Sequence, residues 1–250
     1  MVTSNPNGRG YVLLLSCKNV PGIVAAVSTH LCERGFNIRA SQQFDDDSSG
    51  YLFMRLHFDP VRDVEVDQEQ VAADFGPVAE RFEMDWTLQR ADHRARVLIM
   101  VSRFGHCLND LLYRTAIGAL NIEIAGVVSN HRDLEHLAAS YDTPFHHIPV
   151  TAETKPEAER RLLDLIESED VELTVLARYM QVLSPDLCRV LAGRAINIHH
   201  SMLPSFKGAR PYHQAHERGV KLVGATSHYV TNDLDEGPII EQQIARTTTR

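Results

Sequence analysis

Several features that would decide a protein's class are missing from this sequence. None of its apolar runs approaches the ~20 residues needed to cross a bilayer. An excess of positive charge is missing too. The formal net charge is -8 and the pI is near 5.9, which argues against a general nucleic-acid binder or a membrane-surface protein. The opening stretch MVTSNPNGRG is polar and short, without the apolar core of a signal peptide. Paired cysteines are absent as well. Cys17, Cys32, Cys107 and Cys188 stand far apart with no CxxC, so they read as reduced, mostly buried thiols of a cytoplasmic protein. There is no HExxH and no Cys-rich ligand set, so no metal is expected. Repeats are absent, and low complexity is confined to the closing TTTR.

What remains is 250 residues, enough for one large domain or two modest ones with a sizeable core. Tyr11 to Cys17 reads as a short apolar strand. Pro21 suits the first turn of a helix, where its missing N–H costs nothing. Ile23, Val24, Val27 and Leu31 then share a helical face, and Gly35 ends that helix as a left-handed cap. Phe36 to Phe44 and Tyr51 to Phe58 read as strands around the polar turn DDDSSG. Residues 66–82 are patterned as a helix that Gly76-Pro77 should kink or interrupt. Met84, Trp86 and Leu88 alternate as a fourth strand. The order β-α-β-β-α-β is the split, ferredoxin-like unit.

Residues 8–90 also resemble the ACT domains, small modules that begin with a strand, then Asp or Asn, any residue and Pro-Gly. The residues that carry the likeness are Asn19-Val20-Pro21-Gly22-Ile23 and Gly35-Phe36-Asn37-Ile38. The resemblance implies side-by-side pairing, hence a homodimer or homotetramer. It also implies an amino-acid effector bound near Asn19 and Gly22, or else a purely structural pairing module.

The polar stretch 89–94, QRADHR, marks a boundary, and the second domain is placed at 95–250. Strand patterns fall at 97–102, 122–128, 145–149, 171–177, 195–199, 222–230 and 238–243. Helical patterns at 108–119, 134–141 and 156–168 alternate with them. Such alternation belongs to an α/β, doubly wound, mostly parallel sheet. In that architecture side chains just past the strand ends converge on one crevice. The strand 195–199 delivers Asn197 and His199, and a loop after Val230 carries Asp233 and Asp235. An amide, an imidazole and a carboxylate together are a parts list for chemistry at a carbonyl. Taken singly, each suits an ordinary turn or structural role, so the argument rests on their joint spacing.

That spacing resembles the folate-dependent formyltransferase/hydrolase family. Asn197-Ile198-His199 is followed by Ser201-Met202-Leu203-Pro204-Ser205-Phe206 and by Asp233-Leu234-Asp235-Glu236-Gly237. Leu176 to Ser184, LARYMQVLS, is similar to the family's folate-lining loop. By that analogy Met180, Leu183 and Val230 line an apolar slot for the pterin, with Asp233 beside it; for each of the three taken singly, ordinary core packing is nearly as good a reading. His106 and His200 could line the water or substrate site, or could only satisfy neighbouring backbone. The family's members continue with further helices after the last strand, whereas this chain stops at Arg250. The resemblance therefore implies that those helices are lacking.

Which reaction follows is read from the loop after the first strand of the second domain. Relatives that formylate a ribonucleotide hold its phosphate there on a Gly-rich loop. Residues 101–108, VSRFGHCL, contain one glycine and a bulky Phe104, so a cradle of that kind is absent. Together with His199-His200-Ser201, this is similar to the hydrolytic members of the family. They release formate from 10-formyltetrahydrofolate without a metal or redox cofactor. Asn197 would donate to the oxyanion formed when water attacks the formyl carbon, a contribution of roughly 3 kcal/mol. His199 would stabilise the same charge and protonate the leaving nitrogen, with Asp235 holding the imidazolium and helping to orient or deprotonate the water. The implied role is in one-carbon metabolism, balancing free and formylated folate and supplying formate for purine synthesis. Three other readings are a formyltransferase to an amine, a folate-binding amino-acid sensor without turnover, and a metallohydrolase using His199, His200, His213, His216 and His228.

Overall fold

Alternating apolar residues and glycine-rich turns build the first of two units. The computed structural model describes residues 10–62, 66–206 and 211–246. The chain divides into two compact units at His93–Arg94; the TTTR end lies outside the described residues. The first unit runs β1 (Tyr11–Lys18), α1 (Ile23–Glu33), β2 (Phe36–Asp46), β3 (Tyr51–Pro60), α2 (Gln68–Arg81) and β4 (Asp85–Arg90). Its antiparallel sheet has the order β2-β3-β1-β4. Tyr11, Leu13, Leu15 and Cys17 on β1 pair in register with Phe58, Leu56, Met54 and Leu52 on β3. All eight are buried, and they pack with Ile23, Val27, Leu31, Val71 and Phe75 of the two helices. The opposite sheet face leaves Leu14, Phe44 and Phe53 exposed.

Three local expectations change. Pro21 lies in the turn before α1, because Gly22 is the N-cap, held at φ 98°, and Ala26 N–H donates to its carbonyl. Val24 is exposed, since only the i, i+4 series Ile23–Val27–Leu31 faces the sheet. The Gly76-Pro77 pair does not break α2, which continues to Arg81. Val71, Phe75 and Ala79 stay buried along one stripe, and that packing outweighs the hydrogen bond Pro77 cannot donate.

The second unit runs β5 (Ala95–Val101), α3 (His106–Ala116), β6 (Ile122–Ser129), α4 (Glu135–Ala139) and β7 (Phe145–His147). It continues through α5 (Lys155–Ser168), β8 (Leu173–Leu176), α6 (Pro185–Val190) and β9 (Ala195–His199). It closes with α7 (Pro211–Glu217), β10 (Leu222–Tyr229) and β11 (Ile239–Arg246). The sheet order is β11-β10-β9-β8-β5-β6-β7. Every residue of β5 from Val97 to Val101 is buried. Leu98 and Met100 belong to one core cluster and Val97, Ile99 and Val101 to the other, so β5 is covered on both faces, as a central parallel strand should be.

The pairs β5–β6, β5–β8, β6–β7 and β8–β9 are parallel. The edge departs from the expected pattern, because β10 runs antiparallel to both β9 and β11. The α6 helix was also not expected from the sequence. It is only 6 residues long and is capped by Ser184, whose side chain accepts from Leu187 N–H, so it offers little helical periodicity to read.

Candidate active site

Because β10 is antiparallel, Asp235 does not reach the crevice from a parallel strand end. The ladder pairs Tyr229 with Ile196 and Thr226 with His199. The 230–238 loop therefore leaves the sheet near the start of β9 and must come back along it to meet His199 at the far end. Gly237 permits the return. A Cβ there would lie 1.7 Å from the Tyr229 carbonyl oxygen, and Tyr229 N–H donates to Pro238 O at 2.9 Å. Asp235 itself adopts left-handed backbone at φ 59°.

The loop brings Asp235 Oδ1 to 3.3 Å from His199 Nδ1. Both side chains are about 5% exposed, so water screens the pair little. His199 Nε2 lies 3.4 Å from the Phe206 carbonyl oxygen. Each imidazole nitrogen thus faces an oxygen acceptor, and only the imidazolium donates to both. Asn197, two residues back along β9, presents its side chain on the same face.

The Asn197 partner is a residue that the sequence analysis placed only in the metal reading. His228, 3% exposed, has Nε2 at 3.2 Å from Asn197 Nδ2 and at 3.8 Å from Asp235 Oδ1. Its Nδ1 lies 2.9 Å from Tyr229 O. The signal for it was available: a histidine two residues from Thr226 on a strand whose alternate residues are buried.

The Ser201–Phe206 segment serves to hold this cluster. Thr226 Oγ1 donates to Ser201 O at 2.6 Å and accepts from Leu203 N–H at 3.1 Å. Gln242 Nε2 donates to Leu203 O and to Thr226 Oγ1, while Ser201 Oγ donates to Ser205 O. The loop is thereby tied to β10 and β11, which sets the Phe206 carbonyl against His199. The Leu203-Pro204 peptide is cis, and Phe206 is left-handed at φ 56°.

The remaining candidates are spread more widely. His200 flanks the cluster, its ring centroid 5.5 Å from that of His199 and 5.6 Å from that of Tyr212. Burial, helped by the Arg178 and His199 charges, pushes its pKa down to about 4. His106 is exposed at the first position of α3. Met180 is exposed, Leu183 is buried in the core cluster around β8 and α5, and Val230 packs against that same cluster. Leu183 lines a small crevice with Tyr179, Gln181 and Val182, and neither Met180 nor Val230 borders it. Burial and nearby Glu159 push the Tyr179 hydroxyl up to about 12, so it stays a neutral donor. Asp233 is exposed, and its carbonyl oxygen accepts from Thr231 Oγ1 and Glu236 N–H.

In the first unit, Asn19 and Gly22 border an open depression of about 580 Å³ together with Val24, Ser28, Gln43 and Asp45. Among the described residues no group of three or more His, Cys, Asp or Glu side chains is arranged to hold a metal ion. His213 and His216 are exposed on α7. No helix among the described residues is long and apolar enough to cross a membrane.

An α/β sheet bearing an Asn–His–Asp cluster, preceded in the chain by a βαββαβ unit, is the arrangement of a formyl transferase-type enzyme carrying an ACT domain. Residues 95–249 match the Formyl transferase family and residues 11–75 the ACT domain family. More narrowly, the chain belongs to the formyltetrahydrofolate deformylase family. It is 52% identical to the formyltetrahydrofolate deformylase of Corynebacterium sp. (strain P-1), across 94% of this chain and 82% of that one. A crystal structure of formyltetrahydrofolate deformylase from Burkholderia mallei superposes with a TM-score of 0.89 at 51% identity, covering 96% of this chain and 84% of the other. The phosphoribosylglycinamide formyltransferase of Anaplasma phagocytophilum matches at 32% identity and a TM-score of 0.57, over 62% of this chain and 74% of that one.

Proposed function

We propose that the protein hydrolyses 10-formyltetrahydrofolate to formate and tetrahydrofolate, with Asn197, His199 and Asp235 as the groups that act on the formyl carbon. The observation that supports this most is the buried His199–Asp235 pair, Nδ1 to Oδ1 at 3.3 Å, on the sheet face that also carries Asn197.

Water attacks the formyl carbon and the carbonyl oxygen becomes an oxyanion. One Asn197 N–H is held by His228; the other donates to the oxyanion, an interaction worth about 3 kcal/mol in a dry site. Asp235 keeps the His199 ring oriented and stabilises its positive charge. As the intermediate collapses, the C–N10 bond breaks, a proton passes from His199 to N10, and formic acid leaves and ionises to formate by giving its remaining proton to solvent. The attacking water yields its proton within the Asp235–His199 pair, so the pair ends as it began. These groups suffice for the step, and the reading assigns no metal or cofactor.

The ACT-like unit is read as the binding site of an amino-acid effector at the Asn19–Gly22 turn and as the pairing surface of a homodimer or homotetramer. Four free cysteines fit a reducing, cytoplasmic setting. The direct test is formate release from 10-formyltetrahydrofolate by chelator-treated protein, with and without an added amine. One formate per tetrahydrofolate without amine is expected. Turnover only with amine would make the protein a transferase, and binding without turnover would leave a folate-binding sensor.

A further inference from the structure

Next to the catalytic cluster the sheet reverses its winding. β6 and β7 lie on one side of β5, and β8 and β9 on the other. The crevice past the carboxyl ends of β5 and β8 is therefore the switch point, where open α/β sheets receive ligands. In this chain two side chains meet across it.

Phe104 comes from the loop after β5 and Arg178 from the loop after β8. The Arg178 guanidinium carbon lies 5.3 Å from the Phe104 ring centroid, within the range of a cation–π contact. Two costs attach to Arg178. Its backbone is left-handed at φ 68°, unfavourable by roughly 1–2 kcal/mol for a residue with a Cβ. Its Nε is buried and has no hydrogen-bond partner. Local costs of this sort gather where a residue serves function rather than stability.

The surrounding loop is fixed. Met180 N–H donates to Ser102 Oγ at 3.0 Å, and Ser102 Oγ donates to Asn130 Oδ1 at 2.7 Å. Ser184 N–H, at the other end, donates to Glu159 Oε1 at 2.8 Å. Arg178 thus projects from a pinned segment, and its charge is felt by His200 on the catalytic side and by Cys107 on α3.

We propose that the Arg178–Phe104 pair is the determinant that restricts the reaction to water, by occupying the crevice an amine-bearing acceptor would need beside the formyl group. The inference rests on the deformylase reading above. In transfer, an amine nitrogen would attack the formyl carbon, the C–N10 bond would break, and the amine's proton would end on N10. Hydrolysis is the same displacement with water as nucleophile. The fold accommodates both, and the space beside the folate decides between them.

The test uses Phe104→Ala, Arg178→Gly and the double variant, with 10-formyltetrahydrofolate as donor and glycinamide, a small primary amine, as probe. Arg178→Gly relieves the left-handed strain and Phe104 is 56% exposed, so thermal midpoints near wild type should confirm folding. Formate, tetrahydrofolate and N-formylglycinamide are quantified by mass spectrometry. The readout is the share of formyl groups transferred, which does not depend on the overall rate. Wild type should give formate with N-formylglycinamide below the detection limit, and the double variant should give N-formylglycinamide at least tenfold above that limit. An unchanged share in the folded variants overturns the proposal. So does loss of all turnover in the three of them, because the pair would then belong to the hydrolytic machinery. If wild type itself releases no formate, the deformylase reading fails first and this inference fails with it.

Discussion

His228 Nδ1 stands 2.9 Å from the carbonyl oxygen of its neighbour Tyr229, and this contact decides which way Asn197 points. A carbonyl only accepts, so Nδ1 carries the proton. In the neutral ring Nε2 is then the acceptor. It lies 3.2 Å from Asn197 Nδ2, so the Asn197 amino group turns toward His228. One of its two N–H bonds is used there, and the second stays available for the oxyanion.

Replacing His228 should therefore weaken catalysis more than folding. With His228→Ala the Asn197 amide loses its orientation, and kcat should fall on the order of 10²-fold with KM changed only a few-fold. His228→Gln, whose side-chain carbonyl can accept from Asn197, should recover part of the loss. Steady-state kinetics on the two variants would separate this from a structural role. A change confined to KM, or a parallel loss of melting temperature, would refute it.

Asp235→Asn keeps the size of the side chain and removes its charge. The His199 ring loses its anionic partner in a site where each of the two side chains is about 5% exposed, so kcat should drop about 10³-fold or more. Folate binding, measured by fluorescence titration, should persist within a few-fold. Hydrolysis close to the wild-type rate would remove Asp235 from the mechanism.

Much of this arrangement was legible in the sequence, for reasons tied to particular residues. The βαββαβ unit follows from period-2 runs such as Leu52–Phe58 set against the i, i+4 series Ile23–Val27–Leu31. The grouping of Asn197, His199 and Asp235 follows from the motif spacing. Strand direction was not legible. Leu222–Tyr229 alternates in the same way whether it runs with β9 or against it, so the return path of the 230–238 loop could not be anticipated. His228 was passed over because it entered only through the metallohydrolase alternative, and only geometry shows it facing an amide. Gly76-Pro77 was expected to kink or interrupt α2 because the missing Pro77 N–H is visible in the sequence, while the buried stripe of Val71, Phe75 and Ala79 that keeps the helix unbroken is a property of the packed unit.

Gly22 offers a test of the effector reading in the first unit. It sits at φ 98°, and a Cβ there would meet no atom within 4 Å. Alanine would thus bring backbone strain of roughly 1 kcal/mol without a clash. The strain falls on the turn beside the open depression, so Gly22→Ala should weaken amino-acid binding at least tenfold. Calorimetry with each of the common amino acids would measure this. If none binds the intact protein, the module is structural and the sensor reading falls.

Acid should destabilise the second unit through His200. Burial, with the Arg178 and His199 charges, lowers its pKa in the folded protein to about 4 from an ordinary 6.5. The fold thus favours the neutral ring, and between those two values the unfolded chain binds more protons than the folded one. Stability rises with pH across that window. The contribution is complete above pH 6.5 or so and is lost as pH falls toward 4. Allowing for partial solvent screening, it amounts to about 2 kcal/mol. His200→Asn, which cannot take up the proton, should flatten the stability profile between pH 6.5 and 4. Urea unfolding at half-unit pH steps would show this as a smaller slope than in wild type. Equal slopes in the two proteins would mean that His200 takes up its proton alike in the folded and unfolded states, contrary to its burial beside Arg178 and His199.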